Sequence, residues 1–128
     1  MHHLLPKFTA KALLILALHA SVTFDAWTTI RVQNEPFPAH FQAVEDDPLM
    51  RPFARGNAMY PAINLLPLPI DLAILRAKSR KAKAITYGIA VAAIAMEIVV
   101  ARRNLNLYSL TKAQYQQQFI CSGCKMRP

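Results

Sequence analysis

The chain of 128 residues has few glycines, few cysteines and few charged residues. Its three glycines leave no glycine-rich loop of the kind that binds phosphate groups. Its two cysteines, Cys121 and Cys124, supply only half of a zinc site, which leaves two free thiols or a disulfide as the alternatives. Charged residues make up 17% of the chain, whereas ordinary soluble domains contain about 25%. The composition therefore argues against an ordinary soluble domain.

Apolar residues make up 54% of the chain, and they form three blocks at 12–30, 57–75 and 84–101. A helix of 18 or 19 residues is about 27–28 Å long, close to the hydrocarbon thickness of a bilayer. We therefore predict an all-α fold, an integral membrane bundle of three transmembrane helices. The bundle is expected to occupy residues 1–104, followed by a polar C-terminal tail over 105–128.

The net charge of +8 comes mainly from basic residues that flank the apolar blocks. Five lie in the loop 76–83, and two more follow the third block at Arg102 and Arg103. This placement favours a bilayer with anionic headgroups near the basic loop as the partner, and it does not favour nucleic acid. The basic residues near the spans also favour a cytoplasmic N-terminus.

Prolines divide the first loop and interrupt the second apolar block. The loop 31–56 contains four prolines, which predict irregular structure, although Phe37, Phe41 and Val44 have the spacing of a short interfacial helix. The second block contains three prolines and Asn64, so we predict a single kinked helix there.

Each apolar block contains one carboxylate, namely Asp25, Asp71 or Glu97. A charged side chain near the centre of a bilayer costs about 2.5–3.5 kcal/mol on insertion scales, so each carboxylate needs a partner. Helical spacing places Asp25 and Thr28 on one face of the first helix, and Glu97 and Asn104 on one face of the third. We predict that these four residues form a polar cluster in which Asp25 and Glu97 share a layer. Asp71 is expected near the opposite membrane face, where it either extends toward the membrane surface or pairs with the basic loop.

Two short motifs carry a resemblance to a known group of proteins. The sequence Asp25-Ala-Trp-Thr28 and the later sequence Glu45-Asp-Asp47-Pro48-Leu resemble an uncharacterised family of small bacterial multi-pass membrane proteins. That family has Asp-x-x-Thr late in its first helix and Glu-x-Asn-Pro-Leu in the following loop, so Asp47 stands where the family has asparagine. The resemblance implies a fold of three or four membrane helices in the bacterial cytoplasmic membrane, with no known activity.

Two functional hypotheses follow from these residues. The first is a structural or interaction subunit that is not an enzyme, needs no cofactor, and packs against another copy or a larger membrane partner. Its polar cluster acts as a latch between helices. The alternative is an ion- or proton-handling protein that uses Asp25 and Glu97, in which the loop residues Glu45 and Asp47 complete an acidic site. The sequence leaves open whether such a site holds a metal.

Overall fold

The computed structural model describes residues 9–35, 50–53 and 56–124, with side chains described as far as residue 117. The described residues are helical, with no strand among them, which confirms the predicted all-α class. The four helices are α1 (Ala10–Gln33), α2 (Met59–Ile63), α3 (Leu68–Arg76) and α4 (Arg80–Cys124), and a short 3-10 turn covers Arg51–Phe53. Two of them, α1 and α4, are long and apolar enough to cross a membrane.

Helix α1 contacts each of the other three helices and is buried on two faces. Its first turn is capped by Thr9, whose hydroxyl oxygen accepts from the backbone N–H of Ala12. At the other end, the backbone N–H of Asn34 donates to the carbonyl of Ile30. The most extensive contacts of α1 are with α4, and a second face packs against α2 and α3.

The prediction of one kinked helix over 57–75 is wrong, because the structure forms two short helices there, α2 and α3. Pro67 lies at the break; it has no backbone N–H, and its ring disfavours helical geometry at the residue before it. Between the two helices the backbone hydrogen bonds span three residues, as in a 3-10 turn, and not the four of an α-helix. They run from the N–H of Leu65 to the carbonyl of Ala62 and from the N–H of Leu66 to that of Ile63. The three continuous transmembrane helices are therefore not confirmed.

Helix α4 is much longer than its apolar block. Ser79 begins it, since its hydroxyl oxygen accepts from the backbone N–H of Ala82. The helix then runs for 45 residues, about 68 Å, through the predicted boundary at 101 and on to Cys124. The predicted polar tail is thus helical over most of its length. No proline occurs between residues 80 and 124, so nothing in the backbone chemistry forces the helix to end sooner.

Helices α1 and α4 run parallel. The start of α1 lies beside the end of α3, because the Lys11 ammonium donates to the carbonyls of Leu75 (2.9 Å) and Ala77 (3.0 Å), just before α4 begins. The end of α1 lies beside residue 108 of α4, since the Arg31 guanidinium stands over the Tyr108 ring. The two helices therefore share both their direction and their order along the bundle.

The segment from α2 to α3 runs back along α1 in the opposite direction. A small apolar core fixes its first part near the C-terminal half of α1, and it comprises Val22, Ala26, Met50, Met59 and Ile63. Its last part reaches the start of α1 at Lys11. The predicted interfacial helix and the loop motif Glu45–Asp47 lie outside the described residues.

Candidate functional site

The first of two polar clusters joins α1 to α4 through a single amide group. The Asn104 amide nitrogen lies 3.2 Å from an Asp25 carboxylate oxygen and 3.3 Å from the hydroxyl oxygens of Thr28 and Thr29. Thr28 also donates its own proton to the backbone carbonyl of Asp25 at 2.8 Å. Asp25 and both threonines are buried. We call these four residues the α1–α4 cluster.

Glu97 takes no part in the α1–α4 cluster, although the sequence predicts it there. It is half-buried and makes no hydrogen bond or ion pair within the part of the chain that the structure describes. Glu97 precedes Asn104 by seven residues, about 10 Å along α4, whereas Asn104 is level with Asp25. The prediction of a shared layer took residue 101 as the end of the third helix. Because α4 continues past that residue, Asn104 and not Glu97 stands level with Asp25.

The second polar cluster joins α1 to the broken segment, and His19 is at its centre. Nδ1 of His19 lies 2.6 Å from the side-chain oxygen of Asn64, and Nε2 lies 2.7 Å from Oδ2 of Asp71. The Asn64 amide nitrogen in turn donates to the Thr23 hydroxyl oxygen (3.0 Å) and to the backbone carbonyl of Tyr60 (2.8 Å). We call His19, Thr23, Asn64 and Asp71 the His19 cluster.

Asp71 is buried, with 7% of its surface exposed, and only one of its two oxygens is hydrogen-bonded. Oδ1 has no hydrogen-bond partner within the described residues. The prediction that Asp71 pairs with the basic loop is wrong, because its ion-pair partner is His19. A buried carboxylate with a free oxygen is costly in an apolar environment, so this position calls for an explanation.

The break between α2 and α3 explains how the His19 cluster forms. Asn64 is the residue that follows the last turn of α2, and Asp71 lies in the first turn of α3. A carboxylate near a helix N-terminus interacts favourably with the helix dipole. An unbroken helix would place residues 64 and 71 two turns apart on one face, whereas the turn at 64–67 brings both side chains to one imidazole ring.

Aromatic and basic side chains surround the C-terminal end of α1. The guanidinium carbon of Arg31 lies 5.2 Å from the centre of the Trp27 ring and 5.4 Å from that of Tyr108. The Trp27 ring also stacks on Phe24, with ring centres 5.9 Å apart. Lys112 stands over the other part of this group, 5.8 Å from the Tyr108 ring. Tryptophan and tyrosine are enriched at the interface between a membrane and water.

The sequence pointed to the residues of the α1–α4 cluster but not to the composition of the His19 cluster. Asp25, Thr28 and Asn104 lie together, and Thr29, expected as a hydrogen-bonding neighbour, also accepts from the Asn104 amide. The signals for the second cluster are polar residues within the first two apolar blocks, His19 in the first and Asn64 and Asp71 in the second. No helical spacing connects residues on a broken segment to those on α1, so their meeting follows only from the fold.

Neither cluster assembles a set of metal ligands. Among the described residues there is no group of three or more His, Cys, Asp or Glu side chains that could hold a metal ion. Glu45 and Asp47, which were expected to complete an acidic site, lie outside the described residues. Cys121 and Cys124 lie in the last turn of α4, and the state of their thiols stays a prediction.

No protein family, characterised protein or solved structure matches this chain. Membership of the family of small bacterial membrane proteins therefore stays a prediction.

Proposed function

We propose that this protein crosses the cytoplasmic membrane of a bacterium three times, and that its middle crossing is the broken segment formed by α2 and α3. The parallel direction of α1 and α4 carries this proposal. Two helices that cross a membrane in the same direction need a return crossing between them. The broken segment runs back along α1. The backbone of its turn is hydrogen-bonded within the segment, from the N–H of Leu65 to the carbonyl of Ala62 and from Leu66 to Ile63, as non-helical backbone at membrane depth requires.

The two ends of α1 support a membrane of ordinary thickness. Lys11 lies at one end and Arg31 at the other, 20 residues or about 30 Å apart, which matches the hydrocarbon thickness of a bilayer. Trp27 and Tyr108 accompany Arg31 in the manner of interfacial anchors. The basic loop 76–83 lies at the Lys11 end, so the N-terminus faces the cytoplasm and anionic headgroups under the positive-inside rule.

Single cysteines at Lys78, Asn57 and Ala113 test this topology, after Cys121 and Cys124 are replaced by serine. All three positions are exposed. We expect an impermeant thiol reagent outside intact cells to label the Asn57→Cys and Ala113→Cys variants but not Lys78→Cys. After detergent is added, all three variants should be labelled equally. Labelling of Asn57 and Lys78 to the same extent would show that the broken segment does not cross, and would overturn the proposal.

Within the membrane, the proposed role is that of a structural or interaction subunit, with the α1–α4 cluster as an internal latch. Among the residues that the structure describes, only one face of α4 packs against the other helices. Its outward side chains are largely apolar and exposed, and they include Ile85, Ile89, Val91, Met96, Val99 and Val100. Gly88 and Ala92 also face outward, one turn apart, which is the spacing that lets a second helix approach closely.

The substitution Gly88→Leu separates a contact with a partner from effects within the chain. A Cβ atom at Gly88 would meet nothing within 4 Å, so the larger side chain leaves the fold of the single chain unchanged. If another copy or a larger partner packs at this position, the variant should form a smaller assembly in mild detergent, measured by light scattering after size exclusion. The matched control is Ile89→Leu, an exposed position that keeps its size. Assemblies of equal size in both variants would exclude a close helix contact at Gly88.

A further inference from the structure

We propose that the His19–Asp71 pair is a binding site for one proton, and that this proton attaches the broken segment to α1. Hydrogen-bond geometry and burial in the His19 cluster carry the proposal. It concerns other residues than the α1–α4 cluster, and it does not depend on how the chain crosses the membrane.

The contacts of the Asn64 amide fix its orientation. Its nitrogen lies 2.8 Å from the backbone carbonyl of Tyr60, which can only accept a hydrogen bond. The NH₂ group must therefore face Tyr60 and Thr23, and the amide oxygen must face His19. Because that oxygen can only accept, Nδ1 of His19 carries a proton and donates it across 2.6 Å.

Nε2 of His19 and Oδ2 of Asp71 are too close to meet without a proton between them. With Nδ1 protonated, a neutral imidazole has a lone pair on Nε2, and an ionised carboxylate offers only lone pairs in return. Two lone pairs at 2.7 Å repel each other, so a second proton must lie between the two atoms. With this proton His19 is an imidazolium beside the Asp71 carboxylate, so the pair has bound one proton and has no net charge.

Release of this proton removes the hydrogen bond between His19 and Asp71. A proton released to water through the partly exposed His19 ring, 28% of whose side chain is accessible, leaves a neutral imidazole beside a carboxylate. Oδ1 of Asp71 has no partner within the described residues, so the charge would have no hydrogen bond at either oxygen once Nε2 stops donating. The contact between Asp71 of α3 and His19 of α1 then opens, while the Lys11–Leu75 hydrogen bond between the same helices does not involve this proton. The contact between His19 and Asp71 forms again when the proton returns, so this attachment is present at low pH and lost as the pH rises.

Within the described residues, no hydrogen bond or ion pair joins another titratable side chain on the surrounding helices to His19 or Asp71. Lys11 of α1 binds the carbonyls of Leu75 and Ala77, and Asp25 accepts from Asn104. Tyr60 of α2 enters the cluster through its backbone carbonyl. Arg76 of α3 and Glu97 of α4 make no ion pair with His19 or Asp71. The second proton is therefore shared by His19 and Asp71 alone.

Solid-state nuclear magnetic resonance of the protein in liposomes tests this site. Replacing His2, His3 and His40 by glutamine leaves His19 as the only histidine, which is then labelled with ¹⁵N. At pH 7.5 we expect both ring nitrogens of His19 to carry a proton, with the Nε2 proton donated to the Asp71 carboxylate. Raising the pH should remove the Nε2 proton only, and should weaken the dipolar coupling between Nε2 and the ¹³C-labelled carboxyl group of Asp71.

Two variants complete the experiment. Asp71→Asn at pH 7.5 should show a neutral imidazole with its proton on Nδ1. The control Asp25→Asn makes the same change at a buried aspartate six residues after His19 on α1, and it should give the spectrum of the unchanged protein. The proposal is overturned if the unchanged protein carries its only imidazole proton on Nε2, or if the coupling to Asp71 does not change when the Nε2 proton leaves. The first of these measurements needs no variant of Asp71, so a folding defect in Asp71→Asn does not affect it.

Discussion

The α1–α4 cluster and the His19 cluster lie on the same helix, yet they are built differently. Asn104 makes three long contacts, of 3.2–3.3 Å, between two continuous helices. His19 makes two short contacts, of 2.6 and 2.7 Å, to side chains on either side of a helix break. Contacts of 3.2–3.3 Å are near the upper limit for N–H···O hydrogen bonds, whereas 2.7 Å is typical of charge-assisted bonds. The comparison indicates that polar contacts contribute more to holding α3 against α1 than to holding α4 against α1.

The largest effect expected from this difference is that of His19→Ala. The change leaves Asp71 buried without its ion-pair partner, and breaking a buried pair on one side costs about 3 kcal/mol or more. The matched change Asn104→Ala in the other cluster should cost only about 1 kcal/mol, since its hydrogen bonds are long and the amide is half-buried. Unfolding in SDS, followed by the fluorescence of the single tryptophan Trp27, measures both.

A second variant checks the cause of that loss. Replacing both members of the pair, as in His19→Leu with Asp71→Leu, removes the unpaired charge and should recover much of the stability lost in His19→Ala. If Asn104→Ala proved as destabilising as His19→Ala, the two clusters would contribute equally and the comparison above would fail.

A smaller effect distinguishes the true members of the α1–α4 cluster from Glu97. In a double-mutant cycle, Asp25→Asn and Asn104→Ala should couple by about 0.6 kcal/mol, the average for hydrogen bonds between helices in a membrane. Asp25→Asn and Glu97→Gln should instead be additive within about 0.5 kcal/mol, because Glu97 stands two turns away from Asp25 along α4. Coupling of Asp25 to Glu97 above that level would restore the layer that the sequence predicts.

The sequence predicts regular helices well because their contacts repeat with a fixed spacing. Asp25, Thr28 and Asn104 lie on such helices, so their shared face could be inferred before the fold was known. The end of α4 could not be inferred in the same way, since a polar stretch without proline has no strong signal that separates a helix from a tail. The meeting of His19 with Asp71 depends on the turn at 64–67, and proline predicts a break there but not the direction of the chain after it.

The length of α4 has a mechanical consequence. Beyond Tyr108, where α1 ends beside it, the helix continues for 16 residues to Cys124, which places its tip about 24 Å further out. A helix of this kind acts as a lever arm whose pivot lies among Arg31, Trp27 and Tyr108. A change of about 10° in tilt, small compared with the range found in membrane helices, moves the tip by about 4 Å. A small change in the tilt of α4 thus becomes a displacement of its tip that a neighbouring molecule would meet directly.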